Sequence, residues 1–180
     1  FPKIAYKDSI LKYGSDKPDL RNPLIINDVT DFFRDESVKF EIFKKVINKG
    51  GVVRAIPTPK AGNMSRSFYD KLNEWARDQG ASGLGYIVFE DKINVISGKG
   101  PIANQVPQEL LVSLADRLDL KSGDAVFFIC DIKKRAEIFS GLARMEIARR
   151  MDIIEKDVFK FCWIVDFPMY ETDQKTDKII

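Results

Sequence analysis

Two groups of residues in this sequence have types and spacings that suit chemistry. The first is basic: Lys133, Lys134 and Arg135 run consecutively, with Arg144, Arg149 and Arg150 further along the same helical pattern. Such a cluster suits the RNA backbone, because each phosphate neutralised adds a salt-sensitive increment of affinity. At about 100° per residue Ile138, Phe139, Leu142 and Ala143 share one face, with Arg135, Arg149 and Arg150 on that side and Arg144 opposite, so no single basic stripe forms. Arg149 and Arg150 also suit the helix C-terminus, where the macrodipole favours cations. The second group is Tyr13-Gly14-Ser15-Asp16-Lys17-Pro18-Asp19-Leu20-Arg21, rich in charge around one glycine and one proline. Gly14 can stop a helix at positive φ, and Pro18 fixes its own φ and drives Lys17 out of the α region. The stretch is therefore a rigid polar junction that turns and then runs extended.

Other chemistries are excluded or weak. Histidine is absent, which removes Ser-His-Asp and Cys-His catalysis together with the commonest transition-metal ligand. Cys130 and Cys162 lie in separate apolar runs without Cys-x-x-Cys spacing, so no metal site or disulfide framework is expected, only reduced, buried thiols. Gly83-Leu84-Gly85 precedes a strand pattern rather than a helix, and Gly98-Lys99-Gly100 lacks a following Ser or Thr, so both read as turns and not phosphate loops.

The elements that must position these residues follow from periodicity. A short helix over Tyr6 to Tyr13 stops at Gly14. Pro23 to Asn27 reads as a strand, with Asp28 as N-cap of a helical turn carrying Val29, Phe32 and Phe33. Val38 to Phe43 alternates and predicts a strand; Gly51 to Ile56 predicts a buried one. Phe68, Leu72, Trp75 and Ala76 mark an amphipathic helix ending at Gly80. Leu84 to Phe89 and Ile93 to Ile96 form a hairpin pattern, and a helix follows from Pro107 through Leu118. Ala125 to Cys130 is the strongest strand, a long helix spans Lys133 to Met151, and Phe159 to Phe167 closes the pattern with a strand. Mostly half-buried strands among helices predict α+β, two layers, with a mainly antiparallel sheet and helices packed on one face.

With 180 residues, roughly 70% of the unfolded surface can be buried, enough for a core without staples. The 29 Lys plus Arg against 27 Asp plus Glu give a net charge of +2, so any RNA contact must come from local patches. The longest apolar run falls far short of the roughly 20 residues of a membrane helix. A soluble, cytoplasmic protein with no membrane partner is expected. The chain starts at Phe1 and ends at Lys178-Ile179-Ile180, and it reads as a piece of a longer protein.

The Tyr13 to Arg21 stretch resembles, without a break, the signature that precedes the large insertion of bacterial-type aspartyl-tRNA synthetases. Trp163-Ile164-Val165-Asp166-Phe167-Pro168-Met169-Tyr170-Glu171 resembles the strand on which their catalytic core resumes. Between these, Gly50 to Ile56, Ala81 to Ile87 and Ser122 to Phe128 are similar to the insertion, a GAD or DCoH-like domain, in order. The resemblance implies residues 1–23 as a junction from the core, 24–158 as the insertion, and 159–180 as the return strand. It implies Asp16, Lys17, Arg21, Asp166 and Glu171 as residues coupling insertion to active site, with Asp166, Pro168 and Glu171 on an active-site-proximal strand.

The same resemblance implies a class II ligase that uses ATP and Mg2+ to activate aspartate and transfers it to its tRNA. It further implies a homodimer whose other parts hold the class II motifs, so that this chain has no catalytic residue, binds no cofactor or metal, and is inactive alone. Phe33-Arg34-Asp35-Glu36 copies a class II motif but follows the junction rather than preceding it, and reads as a solvated helix end. A similar domain in tRNA-dependent amidotransferases favours contact with the tRNA acceptor end, through Lys133, Lys134 and Arg135. The alternative is a purely structural module that stabilises the synthetase core or dimer.

Overall fold

The computed structural model describes residues 1–92 and 95–170. In chain order the elements are β1 (Lys3–Ala5), α1 (Tyr6–Tyr13), β2 (Asn27–Asp28), α2 (Thr30–Arg34), α3 (Glu41–Ile47), β3 (Val52–Thr58) and α4 (Arg66–Asp78). They continue with β4 (Gly85–Lys92), β5 (Val95–Lys99), α5 (Gln108–Arg117), β6 (Ala125–Asp131), α6 (Lys133–Arg150) and β7 (Trp163–Val165). A five-stranded antiparallel sheet has the order β2-β3-β6-β4-β5, and β1 pairs with β7 in parallel as a separate two-stranded sheet.

The α+β class and the antiparallel sheet agree with the sequence; the placement of the helices differs. They stand on both faces rather than one. Val53, Ala55, Ile87, Phe89, Val126 and Phe128 face a core built with α2, α3 and α5. The intervening residues Ile56, Ala125, Phe127 and Ile129 face a second core built with α4 and α6. Successive strand side chains alternate between faces, so an unbroken apolar run such as Ala125 to Ile129 must be covered on both sides. That run is buried throughout.

Residues 38–43, expected as a strand, instead lead into α3. Phe40, Phe43 and Ile47 recur at helical steps, and the Phe43 ring packs on Phe40 at 4.7 Å and on Phe33 at 4.9 Å. Ile42, half of the apparent alternation, points to solvent at 66% exposure. The strand expected over Pro23 to Asn27 shrinks to β2, and Asp28 accepts the Thr30 N–H at 2.9 Å from one residue before the cap position. Gly98 and Lys99 belong to β5 and Gly85 opens β4, rather than forming turns. The strand expected over Phe159 to Phe167 is confined to β7, with Phe159 and Phe161 exposed.

Both cysteines are free and half-buried. Burial, reinforced by nearby Asp131, pushes the Cys130 thiol up to about 12. Among the described residues no helix is long and apolar enough to cross a membrane.

Candidate functional site

The junction stretch folds against α6. Gly14 ends α1 at φ +67°, its N–H donating to Ile10 C=O at 3.0 Å. The Ser9 hydroxyl donates to Ser15 C=O at 2.6 Å, and the Ser15 hydroxyl accepts the Lys17 N–H at 2.9 Å. Asp19 then accepts from the Arg21 backbone at 3.0 Å and from its guanidinium at 2.8 and 3.0 Å. That side-chain hydrogen bond from Arg21 holds the Asp19 carboxyl below the usual carboxylate range.

The residue that fixes this turn is Arg144, which is 1% exposed. Its Nε donates to Leu24 C=O at 2.6 Å, and its Nη2 to Asn22 C=O at 2.7 Å and Asp19 C=O at 3.1 Å. The guanidinium lies 5.0 Å from the centre of the Tyr13 ring. Asn22, also buried, returns a bond from its amide to Arg144 C=O at 3.0 Å and accepts the Leu24 N–H at 3.0 Å. Desolvation lowers the Arg144 pKa to about 10.

α6 is therefore buried on two sides, against the sheet and against the junction. Phe139 and Ala143 face the core as their spacing predicts, whereas Ile138 and Leu142 are exposed and Ser140, Gly141 and Arg144 are buried. Arg144 cannot reach a phosphate from this position. Its role was hidden in the sequence; the local signal was the small pair Ser140-Gly141 one turn before it, which admits a second chain segment close to the helix.

Beside this contact, a cleft of about 720 Å³ opens between α1, the junction and the first turns of α6. Tyr6, Asp16, Lys133, Lys134, Glu137 and Tyr170 are among its walls. Residues distant in sequence thus border one cleft: Asp16 of the junction and the α6 lysines. Asp16 pairs with Lys17 at 2.9 Å. Glu137 stands 3.9 Å from Lys133 and 3.9 Å from the buried Arg54, whose second partner is Asp28. The Phe167 ring packs on Tyr6 at 5.0 Å and brings the segment after β7 to the same end of α1. A narrower groove of about 330 Å³ continues along α6, with Lys17, Pro18 and Leu142 among its walls.

The other expected site residues lie elsewhere. Arg135 is outside the cleft and bonded to Asp131 at 2.8 and 3.2 Å, a hydrogen bond that raises its pKa. Arg21 is on another side of the junction, in a hollow with Arg149 and Asp152. Asp166 is exposed after β7 at φ +59°. Glu171 lies outside the described residues. Arg34 ends α2 in solvent, as a helix end should. Among the described residues no cluster of three or more metal-ligating side chains occurs.

The GAD domain family model matches residues 43–139, which include β3, β4, β5 and β6 of the main sheet and the start of α6. The chain belongs to the GAD domain family. The whole GAD-containing chain is also similar to longer proteins. It is 55% identical over 98% of its length to the aspartate–tRNA(Asp/Asn) ligase of Beijerinckia indica, and 54% identical over 99% to that of Methylorubrum populi. It is 51% identical over 99% of its length to the ligase of Gluconobacter oxydans. The chain spans 30%, 30% and 29% of those proteins.

Proposed function

We propose that this GAD-domain chain is an insertion segment of an aspartate–tRNA ligase, and that its own part in the reaction is to contact the acceptor end of the tRNA. The observation that carries the reading is the 55% identity with such a ligase over 98% of the chain. The whole enzyme uses Mg-ATP to convert aspartate to an aspartyl-adenylate, then transfers the aspartyl group to the tRNA and forms a homodimer. Residues 1–23 and 159–180 belong to its catalytic body, and residues 24–158 form the inserted unit. The parallel pairing of β1 with β7, apart from the main sheet, supports that division.

Lys133 and Lys134 supply the phosphate contact. Both are exposed at the start of α6 and border the open cleft, and the adjoining Tyr6 and Tyr170 offer rings on which a base can stack. Asp16 in the same cleft limits how deeply a phosphate enters.

The test is to titrate the 180-residue chain with aspartate tRNA at two salt concentrations. Binding is expected to weaken with salt, and Lys133→Glu with Lys134→Glu to reduce the slope by about 0.7 to 0.9 per lost contact. An unchanged slope removes the RNA reading. The chain alone is expected to show no aspartate-dependent ATP–pyrophosphate exchange; exchange above background overturns its catalytic silence.

A structural role is the second reading, and the Arg144 network favours it. By holding the Asp19 and Asn22 carbonyls of the junction and that of Leu24 immediately after it, Arg144 binds the inserted unit rigidly to the segment that enters the core. Excising residues 24–158 from the full ligase separates the readings: loss of thermal stability supports a structural module, while raised KM for tRNA with unchanged stability supports contact.

A further inference from the structure

Among the described residues, Cys130 near the end of β6 has no strand on the side away from β3. Val53 directs both backbone groups toward β2: its N–H donates to Thr30 Oγ1 at 2.9 Å, and its C=O accepts the Val29 N–H at 3.0 Å. Its register partner on β6 is Cys130. In an antiparallel ladder, a pair that exchanges no bonds turns the partner's N–H and C=O to the far side. There, β4 pairs with β6 only as far as Gly85 opposite Phe128. Gly83, at φ +142°, turns the chain away, and the Leu84 N–H goes to Asn73 Oδ1 at 3.0 Å. The Cys130 N–H and C=O therefore face a gap.

That gap is a cavity of about 340 Å³ between α3 and α4. Phe40, Ile42 and Phe43 form one wall, and Tyr86 and Asp70 lie on the other. The volume is within the roughly 300 to 1,000 Å³ of small-ligand sites, which combine apolar walls with a few convergent polar groups. A side-by-side donor and acceptor in such surroundings is costly to leave unmatched. Asp70 is the one charged residue among the described walls, which disfavours anions.

The geometry points to a binding site here for a small, uncharged or weakly basic planar molecule that presents an acceptor and a donor side by side, as an aminopyridine does. Its edge pairs with the Cys130 N–H and C=O, while its ring lies among Phe40, Phe43 and Tyr86. This site is separate from the basic cleft and stands whether or not the chain contacts tRNA.

The test is an amide NMR titration of the 180-residue chain with 2-aminopyridine. A saturable shift centred on the Cys130 amide is expected, with a dissociation constant on the order of 1 mM for so small a probe. Benzoate should give none, and Ile42→Trp, at the exposed mouth, should weaken binding about tenfold. In the free protein the Cys130 amide should exchange with solvent far faster than that of Phe128. Absence of a saturable shift at Cys130, an equal response to benzoate, or a protected Cys130 amide in the free chain overturns the site; protection would mean that another strand already fills the gap.

Discussion

Gly14 and Gly141 meet backbone to backbone. A Cβ built on Gly14 would stand 2.5 Å from the Gly141 Cα, and one built on Gly141 would stand 2.6 Å from the Gly14 carbonyl oxygen. No side chain can yield at this contact, so α1 and α6 approach only as far as two glycines allow.

Gly141→Ala is therefore expected to destabilise the chain by about 1 to 3 kcal/mol, as overpacking does. The sign is diagnostic, because alanine in a helix interior otherwise stabilises by about 1 kcal/mol relative to glycine. Gly14→Ala should cost more, since its positive φ adds roughly 1 to 2 kcal/mol of backbone strain. Urea midpoints of the two variants check this; a midpoint for Gly141→Ala at or above that of the parent chain contradicts the close contact.

Arg144 closes the same interface with bonds to Leu24, Asn22 and Asp19 carbonyls. Arg144→Met preserves much of the volume but leaves those acceptors without their donor, at a cost of about 3 kcal/mol. The junction should loosen first, so trypsin is expected to cut after Arg21 at least several-fold faster than in the parent chain. Arg144→Lys, which retains a charge but lacks the planar fork, should fall between. Equal cleavage rates in all three would show that the turn holds itself.

Acid should weaken the fold through its paired carboxylates. At Asp28, desolvation raises the pKa, but the Thr30 hydrogen bonds and Arg54 together overcome it and the net shift is downward. At Asp31 the Arg117 hydrogen bond dominates and lowers it. A carboxyl whose folded pKa is depressed contributes stability that is present above its unfolded value and lost as pH falls through the folded one. Denaturant midpoints should therefore be level above about pH 5 and decline below the ordinary value of 3.8. Asp28→Asn should reduce the decline; a midpoint independent of pH down to 2 would refute the assignment.

The half-buried Cys130 thiol gives an alkaline counterpart. Its folded pKa, near 12, exceeds the ordinary 9.0, so the stability it contributes is complete below 9 and lost as pH rises toward 12. Thiolate is the reactive form. In a Cys162→Ser chain, iodoacetamide at pH 8 should leave Cys130 largely unmodified until denaturant is added. Rapid modification of the native chain would place this thiol in solvent.

What the sequence disclosed is what local physics decides. Gly14 stopped α1 because its left-handed conformation is a property of one residue, and the apolar run from Ala125 marked the strongest strand, but that this run is covered on both faces went against the one-faced helix packing expected. α3 was hidden because Phe40 and Ile42 imitate strand alternation, and the contact that decides against a strand comes from Phe33 on another element. Arg144 was hidden for the same reason: its acceptors lie more than 100 positions away in the chain. The exposure of Lys133 and Lys134 was legible, but their sharing a cleft with Asp16 depends on the Gly14–Gly141 approach, which periodicity does not encode.

The same geometry ranks the three basic residues that open α6. Lys133 and Lys134 border the cleft, while Arg135 points elsewhere and is held by Asp131. A cation hydrogen-bonded to a carboxylate, as Arg135 is to Asp131 at 2.8 Å, gains less from a phosphate than Lys133, whose Glu137 partner stands 3.9 Å away, because it must give up the closer partner. Reversing Lys133 and Lys134 is therefore expected to lower tRNA affinity at low salt by about tenfold or more, and Arg135→Glu by less than threefold. Asp16→Asn, which removes a negative charge from the same cleft, should strengthen binding modestly. Affinities measured at one low salt concentration for the four chains check the order, and a larger loss from Arg135→Glu than from the lysine pair would move the interface out of the cleft.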